Sequence, residues 1–414
     1  MQASAKQSTN QRGADSINSI FNELLNRLTK ADVDIGLSEP YNDENDSLFI
    51  TEPMEELQVL HVLGLGRESP GVRVVVVDGS SRRLGSPRFR VFLAGVAVYG
   101  GKAPLWLYPQ LTGLTEGAKF IGVKAPEKVL REEIEKHDKL SNYVKVKFED
   151  GNTYFHERAN EEDVSDDVRM SLESWAIEEL AKGLGNGYAV VLDGPLYLGV
   201  KVKEKLAARR VNAIRKLEER GVPVVGVVKR VENSRKLCGK DVVNALSKSV
   251  NASINVDPNH CNDPLVIQVV GKKMAKGVGD VLLIGPFKQR HNKSSNIMNY
   301  TFPERVFWYV YSELGPRVFR IETLDSMYSN DGFRNIIDGL VTWLASSIDR
   351  SGIPYIVNVA DHFAKQLTRS MYLLFYNIAK ARDVAFNYDT EQEALGIMNE
   401  YAQAVMQVLR GVPR

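Results

Sequence analysis

Cysteine and histidine are scarce, with two cysteines, Cys238 and Cys261, and six histidines in 414 residues. They are not grouped at the spacings of a structural zinc site, and a disulfide between the two cysteines stays open. Such sparse cysteine usage fits a reducing compartment, so a cytoplasmic protein is expected. Charge of one sign is lacking too: 53 Lys and Arg balance 52 Asp and Glu, a net of +1. A protein that coats nucleic acid by bulk charge is more basic, so any such contact must come from a local groove. No run of about eighteen apolar residues is present to span a membrane, and Met1 to Ser16 lacks the apolar stretch of a signal peptide.

Complete cofactor motifs are missing as well. Gly64-Leu65-Gly66 and Gly183-Leu184-Gly185 fall short of a dinucleotide fingerprint, and Gly271-Lys272-Lys273 lacks the flanking residues of a phosphate loop. ATP hydrolysis by this chain is therefore not expected. Ser80 and Ser81 are not flanked as in a nucleophile elbow.

What is present is an alternation of buried strands and amphipathic helices. Residues 1–14 read as a polar tail, and Ile17 to Leu28 as a helix with apolar residues at helical spacing. Ser38 to Ser47 reads as loop. Val72 to Val77 is a nearly continuous β-branched run of the kind found in central strands, and Arg88 to Tyr99 returns as a hairpin partner. Tyr143 to Phe148 alternates like an edge strand. A helix from Ser165 to about Lys182, a strand Tyr188 to Leu192, a helix Lys203 to Arg220 and a strand Pro223 to Val228 follow. Strands are expected at Leu265 to Val270, Val281 to Ile284, Arg305 to Tyr311 and Arg317 to Glu322, the last two joined through Gly315-Pro316. Tyr355 to Val359 looks strand-like, and helices are expected near 331–347, 361–382 and 391–409. The order describes an α/β protein, a mixed β-sheet flanked by helices, with extra C-terminal helices. The expected organisation is one domain over 15–414, its core about 70–230 and 265–385, an insertion about 232–262 and a C-terminal helix about 391–409.

Asp78 and Asp193 share one setting, an apolar strand followed at once by Asp-Gly. Ligand sites form at strand ends of α/β sheets, although Asp-Gly also simply starts turns. Glu173 lies on the helical face of Met170, Ala176, Ile177 and Leu180, so it points toward the sheet. There it either meets a cation or pairs with Arg169 one turn earlier. His362 aligns with Lys365, Gln366 and Arg369 in a polar stripe that a solvated face also explains. Asp361 is about 100° away, so the two neighbours do not point at one metal. Three carboxylates and a histidine suit two hard divalent cations, with the imidazole favouring Mn²⁺ over Mg²⁺ and Asp78 the natural bridging ligand. Lys229-Arg230 after a strand, and the segment Lys288 to Lys293 with Arg290, offer phosphate contacts, and Phe287 could stack on a base.

These pieces resemble the archaeal NurA nuclease family. The resemblance rests on Val74-Val75-Val76-Val77-Asp78-Gly79-Ser80, Leu172-Glu173-Ser174, Val190-Val191-Leu192-Asp193-Gly194-Pro195-Leu196, Val318 to Glu322, and Pro354-Tyr355 followed by His362-Phe363-Ala364-Lys365. It implies an RNase H-like core, a homodimer, and Mn²⁺-dependent 5′-to-3′ degradation of single- and double-stranded DNA. It further implies partnership with the hexameric HerA ATPase in DNA end resection and double-strand break repair. Asp78, Glu173, Asp193 and His362 would be metal ligands and Tyr355 an active-site tyrosine, with Lys365 and Arg369 beside them contacting DNA. Asp361 departs from the pattern, standing where a small residue is expected. Other readings are a non-catalytic RNase H-like adaptor of a DNA motor and an RNA-directed phosphodiesterase; retention of the carboxylates separates the first from a nuclease.

Overall fold

A computed structural model describes residues 15–30, 49–62, 70–101, 105–197, 204–257, 259–277, 279–291, 302–313 and 318–409. The expected tail (1–14), the loop Ser38 to Ser47, Gly64-Leu65-Gly66, Gly315-Pro316 and the end of the Lys288–Lys293 segment lie outside them. Helix α1 (Ile17–Lys30) buries Ile20, Phe21, Leu24 and Leu28, the apolar stripe read from the sequence. Eleven strands among the described residues make one sheet: β1 (Phe49–His61), β2 (Arg73–Gly85), β3 (Arg90–Gly100), β4 (Leu105–Tyr108), β5 (Ile121–Lys124), β6 (Val144–Lys145), β7 (Tyr188–Asp193), β8 (Val224–Val228), β9 (Val281–His291), β10 (Arg305–Ser312) and β11 (Val318–Leu324). Their order is β1-β9-β10-β11-β8-β7-β2-β3-β5-β6, with β4 on β3. Strands β8, β7 and β2 are parallel, and antiparallel strands flank them on both sides. The expected mixed α/β sheet with flanking helices and C-terminal helices is what forms.

Short helices α2 (Glu127–Val129) and α3 (Asp138–Ser141) bracket a π-helical turn. The long helix α4 (Glu161–Gly183) starts four residues before the expected Ser165 because Asn160 caps it, its side chain accepting from the amides of Glu162 and Asp163. Helix α5 (Glu204–Glu219) packs on α4, and α6 (Lys240–Ser249) lies in the expected insertion. Helices α8 (Asp325–Tyr328), α9 (Asp331–Ser346), α10 (Tyr355–Lys380) and α11 (Tyr388–Leu409) complete the chain.

Several expectations are corrected. Leu265 to Val270 is not a strand but part of α7 (Asp263–Met274), where Asn262 caps the amide of Leu265 and Pro264 occupies the first turn. Tyr355 to Val359 is helical, the first turn and a half of α10. Asp78-Gly79 is no turn: β2 runs on to Gly85 in unbroken register with β3. Strand β1 was not foreseen. Lys288 and Arg290 sit on β9 rather than in a loop. Cys238 and Cys261, both within the expected insertion, are joined as a disulfide that closes just before α7. One large apolar cluster links α1, β2, β3, α4, α5, α9 and α10, and a second unites β9, β10, α6 and α7.

Candidate metal centre

Parallel strands end on a common side, and here that geometry gathers charge. The pairing of β2 with β7 stops at Val77↔Leu192, so Asp78 and Asp193 emerge together where the two strands part. Lys229 follows the end of the next parallel strand, β8. The fourth group arrives from α10, which lies across β2 and β3. On that helix Val357, Ala360, Ala364 and Thr368 are buried, and Thr368 Oγ1 is 3.1 Å from Ser80 Oγ. Asp361 belongs to this stripe, three residues before Ala364 and seven before Thr368. One carboxylate oxygen from each of Asp78, Asp193 and Asp361 lies within 4.8 Å of the others.

Glu173 reaches the same region from the other face of the sheet. Alternate residues of β2 face opposite ways: Ser81 meets Ser165 of α4, and Ser80 meets Thr368 of α10. Asp78 is in phase with Ser80, whereas Gly79 faces α4 and receives Glu173. A Cβ at Gly79 would stand 2.6 Å from Glu173 Cγ, so glycine is what lets the carboxylate approach. Glu173 is buried and held by Arg169 at 3.0 Å and by the buried Arg210 of α5. The pairing with Arg169 that the sequence left open as an alternative is therefore made, with a second arginine added.

Electrostatics mark the three-acid group as unfinished. Asp78 Oδ2 is buried with no hydrogen-bond partner among the described residues, a condition that asks for a missing water or ion. Burial, then the nearby Asp193 and Glu173, hold the Asp78 carboxyl well above the usual carboxylate range, with Lys229 opposing them. Burial pushes Asp193 up to about 6 despite its bond to Lys229. Burial also works against the charge on Lys229, but Asp193 and Asp361 outweigh it and raise its pKa. Lys229 is thus shared between Asp193 and Asp361 and Lys365 takes the other oxygen of Asp361, so two ammonium groups face three carboxylates. The oxygen-rich donor set, the orphaned buried oxygen and the excess of acid all fit a hard divalent cation.

Other residues read from the sequence lie elsewhere. His362 is exposed and packs beside Phe363, one helical step from Asp361, and is not in the acidic group. Tyr355 is 60% exposed at the start of α10. Lys229, expected on phosphate, is occupied with Asp193, while Arg230 is exposed. Lys288 pairs with Asp325 and Glu304, and Arg290 with Glu52. Lys365 pairs with Asp361 at 2.8 Å and Arg369 with Glu400 at 2.8 Å. Phe287 is fully buried against Phe307, a core residue and not a base-stacking platform. Reading the sequence missed Asp361 as a member of the group and Arg210 as the anchor of Glu173. The signal for Asp361 was its place on the small-residue stripe of α10.

No curated protein matches the chain. Among solved structures it is similar to the NurA nuclease from Sulfolobus solfataricus, at 11% identity and a TM-score of 0.38 over 79% of this chain and 86% of that one. It is also similar to a NurA structure with manganese, at 10% identity and a TM-score of 0.37 over 89% of this chain and 99% of the other. A third similar structure, NurA bound to dAMP and manganese, has 11% identity and a TM-score of 0.27 over 77% of this chain and 86% of that chain. Independently of these, the NurA domain family matches residues 72–366. That span holds Asp78, Glu173, Asp193 and Asp361 and most of the chain, which accordingly belongs to the NurA domain family, a family of nucleases.

Proposed function

We propose that this protein is a divalent-metal-dependent deoxyribonuclease, using Mn²⁺ with Mg²⁺ as an alternative. The observation that carries the reading is the meeting of Asp78, Asp193 and Asp361 in one acidic group with a buried, unbonded oxygen. Asp78, Asp193 and Asp361 would hold the metal. Glu173, fixed by its two arginines, would shape the field from across the sheet. Bound divalent ions supply polarisation of the phosphodiester and of the attacking water. Around them, the chain itself would orient the acids through β2, β7 and α10. Lys365 and Arg230, both exposed, are suited to contact phosphates of the bound strand.

Family membership supports DNA as the substrate, and the manganese-bound relatives support the choice of metal. On the same ground we infer 5′-to-3′ exonuclease and single-strand endonuclease action, a homodimer, and work with a HerA-type ATPase in end resection. Purified protein should degrade end-labelled linear DNA in Mn²⁺ and stop on chelation. Asp78→Asn and Asp193→Asn should stay folded and lose at least about a hundredfold in rate, since an amide cannot replace an anionic ligand. Undiminished cleavage by either folded variant would sink the proposal.

A further inference from the structure

Four cationic side chains serve the carboxylates of the centre, Arg169, Arg210, Lys229 and Lys365, but they are not held alike. Arg210 is 2% exposed and locked on Glu173, with Arg169 on the same carboxylate. Lys229 differs in what it bridges. Its side chain is 23% exposed, and it extends from the chain immediately after β8. Its Nζ donates to Asp193 Oδ2 and lies 3.7 Å from Asp361 Oδ1, so it touches two of the three acids that face one another. It thus occupies the electrostatic place that a metal ion would take.

Resting on the reading of this group as a divalent-cation site, we infer that Lys229 is the resident counter-ion of the metal-free centre and that a divalent cation enters by displacing its ammonium. Three carboxylates face Lys229, with Lys365 on the other oxygen of Asp361, and keep an excess of acid that a divalent cation would meet. An ammonium kept within about 4 Å of a doubly charged ion would be strongly repelled. Its flexible four-carbon stem and exposed flank give it a way out to water. Arg210, buried on Glu173, has no comparable exit. Among these cations Lys229 is the one that lies between two of the facing acids. Exchange makes metal affinity a property of Lys229 as much as of the acids.

Equilibrium titration of the full-length protein with Mn²⁺ alone, without DNA, tests this. Lys229→Met keeps the stem and removes the competing charge, and should bind Mn²⁺ about tenfold more tightly than wild type. Equal or weaker binding by folded Lys229→Met would overturn the inference. A second measurement needs no variant: acylation of the Lys229 amine, mapped by mass spectrometry, should increase when Mn²⁺ is added, because the side chain is released. Unchanged or reduced labelling at saturating Mn²⁺ also overturns it. Asp193→Asn separates the two readings. If wild type binds Mn²⁺ and Asp193→Asn binds it poorly, while Lys229→Met matches wild type, only the role of Lys229 fails. If wild type binds no Mn²⁺, the metal centre itself fails and takes this inference with it.

Discussion

One helical step separates Asp361 from His362, and that step decides which side chain meets the acids of β2 and β7. Asp361 shares its stripe with Ala364 and Thr368, which are buried against the sheet, whereas His362 is exposed. Replacing Asp361 by Asn should weaken Mn²⁺ binding and DNA cleavage by at least about tenfold, and His362→Ala should cost much less. Titration and a cleavage assay on both variants check this; the opposite ranking would give the site to the imidazole. Asp78 and Asp193 were legible because each ends an apolar run, a pattern carried by neighbouring residues. Glu173 was legible as an inward-facing helical residue. Its arginine on α5 was not, because no local pattern connects positions 173 and 210. Lys229 could be recognised as a cation after a strand, but only the convergence of strands shows that its partner is a carboxylate and not a phosphate.

Among elements, one tight constraint is the contact of β2 with α4 at Gly79. An added methyl group would press on a Glu173 side chain that two arginines prevent from moving aside. Gly79→Ala is expected to destabilise the fold by roughly 1–3 kcal/mol, as overpacking does, and to shift the denaturant midpoint down; an unchanged midpoint would show that α4 can yield. Elements with a strong period were readable: α1, β7, α5 and β8 fall close to where the residues place them, and β2 starts where expected but runs on to Gly85. The failures have physical causes. Strand β1 carries Pro53 and Glu52, Glu55 and Glu56, and among the described residues it is the outermost strand on its side of the sheet and pairs with β9 alone. Its polarity is that of an edge, and it reads as loop. The opposite error occurs in α7, whose Leu265-Val266-Ile267 has strand-like composition. Asn262 and Pro264 start a helix there, and Val266, Ile267 and Val270 form its buried face.

At the scale of the whole molecule, two charge networks give the metal-free protein opposing responses to pH. Burial raises the pKa of Asp193 from 3.8 to about 6, so the folded state holds that proton more tightly than the unfolded chain. Its contribution to stability is complete below about pH 4 and is lost as pH rises through about 6. Glu322 acts in the other sense. Burial would raise its pKa, but Arg305 and Arg320 outweigh it and bring it down to about 2. That contribution is present above the ordinary value of 4.5 and is lost as pH falls toward 2. Metal-free protein should therefore be most resistant to heat on the acidic side of neutrality. Its melting temperature should decline between pH 4 and 7, and Asp193→Asn should flatten that decline. Melting curves across this range, with and without Mn²⁺, check both limbs. Equal slopes in wild type and Asp193→Asn would contradict the assignment. The expected organisation of helices around a mixed sheet was visible at this scale, since the order of elements survives errors at their ends. Strand order was not, because β1 pairs with β9 and β11 with β8 across long stretches of chain.

The acids that meet in the pocket are drawn from early and late in the polypeptide, Asp78 on β2 and Asp361 on α10. During synthesis the strands can pair long before α10 has left the ribosome, yet the cation trap stays open until that helix lies down across β2. A chain halted before position 361 carries only part of the trap. Loss of the last acid by truncation should therefore weaken cation binding at least as much as Asp361→Asn does.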